Sequence, residues 1–382
     1  MKPRIWAATL AVVSYVATAP ANARQQPEDA EFERFQQQLS SEFAEYERQQ
    51  KAMYDEFVEE WQRAQQAYKK ELSAIWGEAE LSDSKRYVSY SQDLRQKTVV
   101  DYQQNTVSIE VQGQLDEVDL LQRIEARLAE LATTPVQQAV KEDPIVQRLP
   151  ESLHLSGGTN TDATLLDPDT EVLSIVRDVT PSIKATPTTT SMTVTLPSVA
   201  AQKRVTRVLP TVKSYAQKHG LSVPLMLAII HTESSFNPMA RSHIPAFGLM
   251  QIVPTTAGRD VSEYLYGEQQ LFSPAYLFEA ERNIEAGSVY FYLLSRRYFG
   301  GVKNDGVRQW LAIAAYNTGP GNVARTFGHG FSLAQATHVA NTMSSAEVHR
   351  HLMSSLPAQE TKDYLTKISE RQSYYQQLLE TL

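Results

Sequence analysis

Apolar residues recur at steps of three and four between Pro27 and Gly77, and Glu, Gln, Lys and Arg fill the other positions. Neither proline nor glycine interrupts this stretch. A period near 3.6 residues is typical of an amphipathic α-helix, so we predict one long helix over 28–77. The simplest interpretation is a helix packed on its own domain or in a coiled coil. A membrane-surface helix is less consistent with the polar face, which Lys and Arg do not dominate.

The period shortens to two after residue 86. Thr106 to Val111 alternate between polar and apolar residues, and together with 87–102 they predict a β-hairpin that turns at Asn105. A helical pattern follows over 115–132. The next segment, 134–190, is rich in Pro, Thr, Ser, Gly and Asp, and a last strand is predicted over 191–196. We therefore predict an α+β domain over 78–198.

From residue 199 on, residues that typically begin or end helices recur along the chain. Gly220 is placed to end a helix over 205–219, and Ser222 with Pro224 is placed to begin the next one. That helix should stop near Pro238, because the residue before a proline is disfavoured in the α region. Further helices are predicted at 283–299, 307–316, 320–327, 345–354 and 358–379. The segment 199–382 is thus predicted to be a compact α domain.

Composition narrows the classes of function. The chain has 382 residues, a formal net charge of −8 and 42% hydrophobic residues, so wholesale disorder is not expected. The acidic balance gives no general electrostatic reason to bind nucleic acid. The absence of cysteine excludes disulfides, thiolate nucleophiles, cysteine zinc sites and iron–sulfur clusters.

The amino terminus has the pattern of a secretory signal peptide. Lys2 and Arg4 precede an uncharged, mostly apolar stretch over 5–19, and Ala21 and Ala23 fit the small-x-small rule for cleavage. About 15 apolar residues fall short of the roughly 20 that span a bilayer. We expect residues 1–23 to be removed on export to the periplasm. No cysteine follows that could carry a lipid, so a lipoprotein is not expected.

Glu233 is isolated among the acidic residues. It is the only carboxylate between Asp178 and Asp260, where the whole-chain frequency of 44 in 382 predicts about nine. It follows Ile229 by four residues and Ile230 by three, which places it on the apolar face of its helix. Burial there would raise its pKa and suit it to be a general acid. A buried ion pair with a nearby Arg is an equally good interpretation of the same residues.

Two further segments combine glycine with amide or hydroxyl side chains. Residues 247–254 place Gly248 and Gln251 inside an apolar run, and residues 314–321 place Tyr316 and Asn317 before a glycine-rich turn. Amide and hydroxyl groups on an apolar floor can bind sugar hydroxyls, which both donate and accept hydrogen bonds. Taken singly, each segment is also consistent with ordinary turn chemistry.

At these residues the chain resembles a known family. Glu233 to Pro238, Ser242, Gly248 to Gln251 and Ala315 to Asn317 are similar in order and spacing to the soluble-lytic-transglycosylase (SLT) catalytic domain. The resemblance covers about 205–375 and is strongest to the membrane-bound lytic murein transglycosylase C type. Residues 78–198 resemble the amino-terminal domain of that type more weakly.

The resemblance implies a lysozyme-like, mostly α catalytic domain at the carboxyl end, preceded by an α+β domain with the long helix. It implies cleavage of the β-1,4 bond between N-acetylmuramic acid and N-acetylglucosamine in peptidoglycan, without hydrolysis, leaving 1,6-anhydromuramoyl ends. Glu233 would act first as general acid and then as base. The residues that match cleft positions of the family are Ser242, Gln251, Tyr316, Asn317 and Tyr364.

Two alternatives are a hydrolytic, lysozyme-like muramidase and a non-catalytic peptidoglycan-binding protein. Hydrolysis by two carboxylates needs a second acidic group, which Asp260, Glu263, Glu279 or Glu285 could supply only through the fold. No cofactor or metal is expected, since His349 and His351 point to different faces of a helix. The expected partners are glycan strands and, through the helix over 28–77, other envelope proteins.

Overall fold

The structure is a computed structural model and describes residues 52, 55–150, 163–166, 181–328 and 332–381. Contacts divide the chain into one unit, Met1–Met53, and a second unit, Tyr54–Leu382, and all the elements below belong to the second unit. The predicted signal peptide and the first half of the predicted long helix lie outside the described residues. Among the described residues, no helix has both the length and the apolar content that crossing a membrane requires.

Five antiparallel strands form a single sheet in the order β1-β2-β3-β5-β4. The strands are β1 (Arg86–Tyr90), β2 (Gln96–Asp101), β3 (Thr106–Gln112), β4 (Ser182–Ala185) and β5 (Thr189–Thr195). The predicted hairpin is β2–β3, in which Val100 pairs with Val107 and Asn105 takes a φ of 54° in the turn. The last predicted strand, 191–196, corresponds to β5, which pairs with β3 on one side and with β4 on the other.

Three helices accompany the sheet. Helix α1 covers 55–76, the described part of the helix predicted over 28–77. Helix α2 (Glu117–Thr133) packs its buried side chains on β3 and β5, and the short α3 (Val136–Glu142) follows it. The alternating strand residues that point to α2, such as Ile109 and Met192, are fully buried. This α+β arrangement agrees with the predicted fold class.

The described carboxyl-terminal part is mainly helical, apart from the non-helical segment over 235–256. Its helices are α4 (Ser198–His219), α5 (Val223–Ser234), α6 (Ala257–Tyr266), α7 (Pro274–Phe278), α8 (Ala280–Leu293), α9 (Asp305–Thr318), α10 (Pro320–Thr326), α11 (Leu333–Ala340), α12 (Ser345–Ser355) and α13 (Gln359–Glu380). Gly220 ends α4 with a φ of 63°, as the C-cap prediction requires. A π-helical turn, Leu294–Tyr298, continues α8.

Four helices were not predicted from the sequence: α3, α6, α7 and α11. Each has ten residues or fewer, and a periodic pattern is weak over so short a stretch. Helix α5 ends at Ser234, four residues before Pro238, because Ser235 and Phe236 both adopt positive φ. The proline is therefore not what stops this helix.

Buried contacts join the sheet and its helices to the helical part. The Arg241 guanidinium donates to Asp143, which follows α3, and the two side chains are only 2% and 6% exposed. Trp61 of α1 packs edge-on against Phe247, with ring centroids 4.9 Å apart. Both contacts reach the segment that follows α5, and so they support the residues around Glu233.

Candidate active site

Helix α5 carries Glu233 in its last turn. The Ser222 side chain accepts the Leu225 N–H at 3.4 Å to begin the helix, and the apolar residues from Leu225 to Ile230 are buried. Ser235 closes the helix in the left-handed conformation with a φ of 50°. A non-glycine residue with positive φ is strained, and such strain clusters at functional sites. The fold thus places one partly exposed carboxyl group at the end of a buried helix.

Burial raises the pKa of Glu233 to about 7. Three neighbours modify this effect: Tyr364 and the Lys85 ammonium favour the charged carboxylate, and the carboxylate of Glu360 opposes it. Among the described residues, the buried Tyr364 hydroxyl has no partner at normal hydrogen-bond geometry, although it lies close to Glu233. A carboxyl group with a pKa near 7 is partly protonated at neutral pH and can donate a proton.

The cation that acts on Glu233 is Lys85. No arginine of the described part of the chain is among the charges that shift the pKa of Glu233, so the predicted alternative of a buried ion pair with a nearby Arg is wrong. Lys85 precedes β1, and its Nζ donates to the carbonyl oxygens of Thr232 at 2.5 Å and His231 at 3.4 Å. Burial lowers the pKa of Lys85 to about 8, against the opposing influence of Glu233. No local sequence pattern identifies this lysine, because it lies 147 positions from Thr232.

The loop over 247–252 is held by α8. Asn283, fully buried, accepts the Met250 N–H at 2.7 Å and donates to the carbonyls of Phe247 and Leu277 at 2.8 Å each. Gly248 has a φ of +75°, and a Cβ there would lie 2.1 Å from the Leu277 carbonyl oxygen. Gln251 also has a positive φ, 49°, and donates to the Gly248 carbonyl at 2.9 Å. This geometry fixes the amide of Gln251 at the rim of a cavity.

That open cavity has a volume of about 560 Å³. Gln251, Tyr316 and Asn317, all predicted from the sequence, share its lining with Asp260 and Tyr298. Tyr316 donates its hydroxyl to the Met250 carbonyl at 2.9 Å, and Glu233 contributes to raising its pKa. Tyr316 therefore lines the cavity and also lies within electrostatic reach of Glu233, whereas Glu233 is not among the lining residues.

Ser242 and Tyr364 do not line this cavity. The Ser242 hydroxyl donates to the Ile244 carbonyl and accepts the Ala246 N–H at 3.2 Å, so it closes a small turn after Arg241. Tyr364, on α13, faces Glu233 instead, and burial raises its pKa well above the usual value. The structure thus brings Tyr364 and Tyr316 to the acid and leaves Ser242 in a local turn.

The other carboxylates fall into separate groups. Asp260 accepts the Tyr298 hydroxyl at 2.7 Å on the cavity wall, and burial raises its pKa. Glu285 lies 3.6 Å from Lys218, and Glu263 lies 3.9 Å from Arg297. Glu360, exposed in the first turn of α13, is the acidic residue that acts on Glu233, and sequence reasoning missed it.

The described residues contain no group of three or more His, Cys, Asp or Glu side chains placed to hold a metal ion. His349 stacks on Trp310 with ring centroids 4.3 Å apart, whereas His351 contacts the Thr326 carbonyl at 2.9 Å. The two histidines therefore face different neighbours, as helical spacing predicts.

The sequence is similar to a known family of catalytic domains and to curated proteins that carry it. Residues 210–339 match the sequence model described as the Transglycosylase SLT domain. A membrane-bound lytic murein transglycosylase C from Serratia proteamaculans is 39% identical over 185 residues, which are 48% of this chain and 51% of the relative. Its counterpart from Yersinia enterocolitica is 40% identical over the same length, with the same shares of the two chains. The resemblance predicted from the motifs is confirmed.

The region of similarity covers only part of this chain and part of each relative. The chain spans about half the length of the curated relatives it matches. Among solved structures, a lytic transglycosylase Slt from Pseudomonas aeruginosa is 29% identical, with 45% of this chain and 24% of that chain covered and a TM-score of 0.33. Lys85 and Tyr364 both lie outside residues 210–339.

Proposed function

We propose that this protein is a lytic transglycosylase that cleaves the β-1,4 bond between N-acetylmuramic acid and N-acetylglucosamine in peptidoglycan. One arrangement carries the proposal: Glu233, whose pKa burial raises to about 7, acts electrostatically on Tyr316, and Tyr316 lines the polar cavity. The match of residues 210–339 to the SLT domain and the names of the curated relatives support the same activity.

In the first step Glu233 acts as general acid. Its protonated carboxyl donates to the glycosidic oxygen as the bond to the anomeric carbon breaks. Burial supports this role because it keeps the proton on the carboxyl at a pH where an exposed glutamate is ionised. Tyr364 and Lys85 stabilise the carboxylate that remains after the proton has left.

In the second step the Glu233 carboxylate acts as base. It takes the proton from the 6-hydroxyl of the muramic residue as that oxygen bonds to the anomeric carbon. The product is a 1,6-anhydro ring, and Glu233 recovers its proton. The attacking hydroxyl belongs to the substrate, so its effective concentration is high and no positioned water is needed.

The cavity would bind the glycan strand in the lysozyme-like arrangement that the motifs imply. Gln251 and Asn317 offer amides, and Tyr316 offers an aromatic edge held in place by its bond to the Met250 carbonyl. Tyr364 would orient the Glu233 carboxyl. Ser242 would contribute to glycan binding through the backbone turn that its hydroxyl closes.

Hydrolysis by two carboxylates is the second candidate, because Asp260 lines the same cavity and Glu360 acts on Glu233. Asp260 is not among the charges that shift the pKa of Glu233, and Glu360 is exposed. These placements favour the single-acid mechanism. The proposed location is the periplasm, where peptidoglycan is available, with the helix predicted over 28–77 as a surface for envelope partners.

The test is digestion of purified sacculi followed by mass spectrometry of the released muropeptides. The wild-type protein should release fragments with anhydro ends, which are lighter by one water than hydrolysed ends. Glu233→Gln should lower the rate at least about 100-fold, since it removes the transferable proton and keeps the shape. Glu380→Gln, on an exposed end of α13, is the matched control and should retain the wild-type rate.

Three results would contradict the proposal. Reducing ends in the products would establish hydrolysis. Full activity of Glu233→Gln would move the acid to another residue. Binding of sacculi with no release of fragments by the wild-type protein would identify a peptidoglycan-binding protein instead.

A further inference from the structure

We propose that Lys85 is a positioning residue for Glu233: its ammonium holds the last turn of α5 in place and brings a positive charge to the end of the helix that carries the carboxyl group. The inference rests on the proposed function for its catalytic meaning. Its structural basis is independent of that function, because it concerns contacts between the segment before β1 and the end of α5. Lys85 lies outside the SLT match, so this part of the site comes from the sheet-containing part of the chain.

The first contact is between the ammonium and the helix end. The last carbonyl oxygens of an α-helix have no partner within the helix and carry partial negative charge. Lys85 Nζ donates to one of them, on Thr232, at 2.5 Å. It also donates at 3.4 Å to the His231 carbonyl, which accepts the Ser235 N–H at 3.0 Å as well. Glu233 follows Thr232 directly, so the ammonium restrains the backbone that carries the acid.

The segment that carries Lys85 is itself anchored. Asp83 accepts the backbone N–H groups of Lys85 at 2.7 Å and Arg86 at 2.8 Å. Asn237, which lies just after the end of α5, donates to the backbone carbonyls of Asp83 at 3.4 Å and Ser84 at 3.5 Å. The residues on both sides of Glu233 are therefore tied to one short segment, and Lys85 has little freedom to leave.

Charged and titratable groups face this pair from several elements. Tyr364 and Glu360 of α13 act on Glu233, and Glu233 acts on Tyr316 of α9. Arg371 and Lys367 of α13 oppose the charge on Lys85, whereas Asp83 favours it. His231 also lies next to Lys85, but burial lowers the pKa of its imidazole to about 3, so the ring is neutral in the pH range where Glu233 titrates.

The sign of the effect follows from this arrangement. A positive charge next to a carboxyl favours the carboxylate and lowers its pKa. Removing the charge should raise the pKa of Glu233 further above its ordinary value. The protonated acid would then persist to higher pH, while the carboxylate formed during the reaction would be less stable.

The direct test is a carbon-13 NMR titration of the Glu233 side-chain carboxyl in the full chain, with the resonance assigned by its loss in Glu233→Gln. Lys85→Met should raise the pKa of Glu233 by about one unit relative to the wild type. Lys85→Arg keeps the charge and the donors, and it should stay within about 0.3 units. Lys213→Met, which removes an exposed lysine from α4, is the matched control and should leave the titration unchanged.

The second readout is the pH dependence of kcat/KM on sacculi. Its alkaline limb should move upward in Lys85→Met by the same amount as the NMR titration, and the plateau should fall about tenfold because the helix end is less well held. An unchanged Glu233 titration in Lys85→Met overturns the inference. So does an activity loss equal at every pH, or one that Lys85→Arg does not rescue.

The two proposals fail separately. If the wild-type protein releases no anhydro fragments but Lys85→Met still raises the pKa of Glu233, the proposed function fails and the coupling of the two residues stands. If the wild-type protein releases anhydro fragments and the titration does not respond to Lys85→Met, the proposed function stands and Lys85 does not influence the pKa of Glu233.

Discussion

At the scale of single residues, charges of opposite sign reach Glu233 from distant parts of the chain. Lys85 comes from the segment before β1 and Glu360 from the first turn of α13. Burial has the largest effect and raises the pKa to about 7, and the two charges adjust it in opposite directions. A general acid works best when its pKa lies near the working pH, so in the role proposed for Glu233 this balance would bear directly on rate.

Glu360→Gln should therefore lower the pKa of Glu233. Glu360 is exposed, so solvent screens its effect, and the expected change is about a few tenths of a unit. The alkaline limb of the pH profile of kcat/KM should move down by that amount at low salt, and the difference should disappear in high salt. Complete loss of activity in Glu360→Gln would contradict this expectation and would make Glu360 the second carboxylate of a hydrolytic mechanism.

At the scale of elements, the loop over 247–252 depends on α8 for its shape. Asn283 makes three hydrogen bonds to backbone groups on the loop and on α7, and it is fully buried. Gly287, one turn further along α8, leaves room for Met250, whose Sδ would lie 2.3 Å from a Cβ at that position. The two residues share one face of the helix, so a single face of α8 determines where Gln251 is held.

Asn283→Leu should destabilise the protein by about 2–4 kcal/mol, because the Met250 N–H and the Leu277 carbonyl lose the partner that Asn283 supplies. The Phe247 carbonyl keeps the Ile252 N–H at 3.1 Å. Urea denaturation followed by circular dichroism measures the change. Asn322→Ala is a matched control: the Asn322 amide bonds to Thr318 at 2.7 Å in a more accessible place, and its loss should cost less than about 1 kcal/mol. Equal midpoints for Asn283→Leu and the wild type would show that the amide does not hold the loop.

At the scale of the whole molecule, the sheet-containing part and the helical part share the support of one site. The Arg241–Asp143 pair and the packing of Trp61 on Phe247 are both buried. Lys85 and Asn237 add hydrogen bonds across the same boundary. The sheet-containing part is therefore a structural component of the candidate site.

Arg241→Met should cost about 3–5 kcal/mol of unfolding free energy, since it leaves the Asp143 carboxylate buried without its cation. The double variant Arg241→Met/Asp143→Asn removes the uncompensated charge and should recover a large part of that loss. Arg123→Met, on the exposed face of α2, should change stability by less than about 0.5 kcal/mol. Strictly additive losses in the double variant, measured in urea, would show that the two side chains do not depend on each other.

The sequence by itself determined the features that depend on neighbours along the chain. The caps at Gly220 and Ser222, the turn at Asn105 and the apolar face under Glu233 all follow from local spacing. Hydrogen bonding and steric preference at these positions act over a few residues, so a periodic pattern is enough to predict them. The isolation of Glu233 among the acidic residues also marks it as the candidate acid from the sequence alone.

Only the tertiary structure decided which charges surround that acid. Lys85 lies 147 positions from the carbonyl it contacts, and Glu360 and Tyr364 arrive on the last helix. Electrostatic interactions act through space and grow stronger as water is excluded, so they depend on packing that no local pattern records. For the same reason the cation beside Glu233 proved to be a distant lysine rather than one of the nearby arginines, and Ser242 was found in a turn of its own.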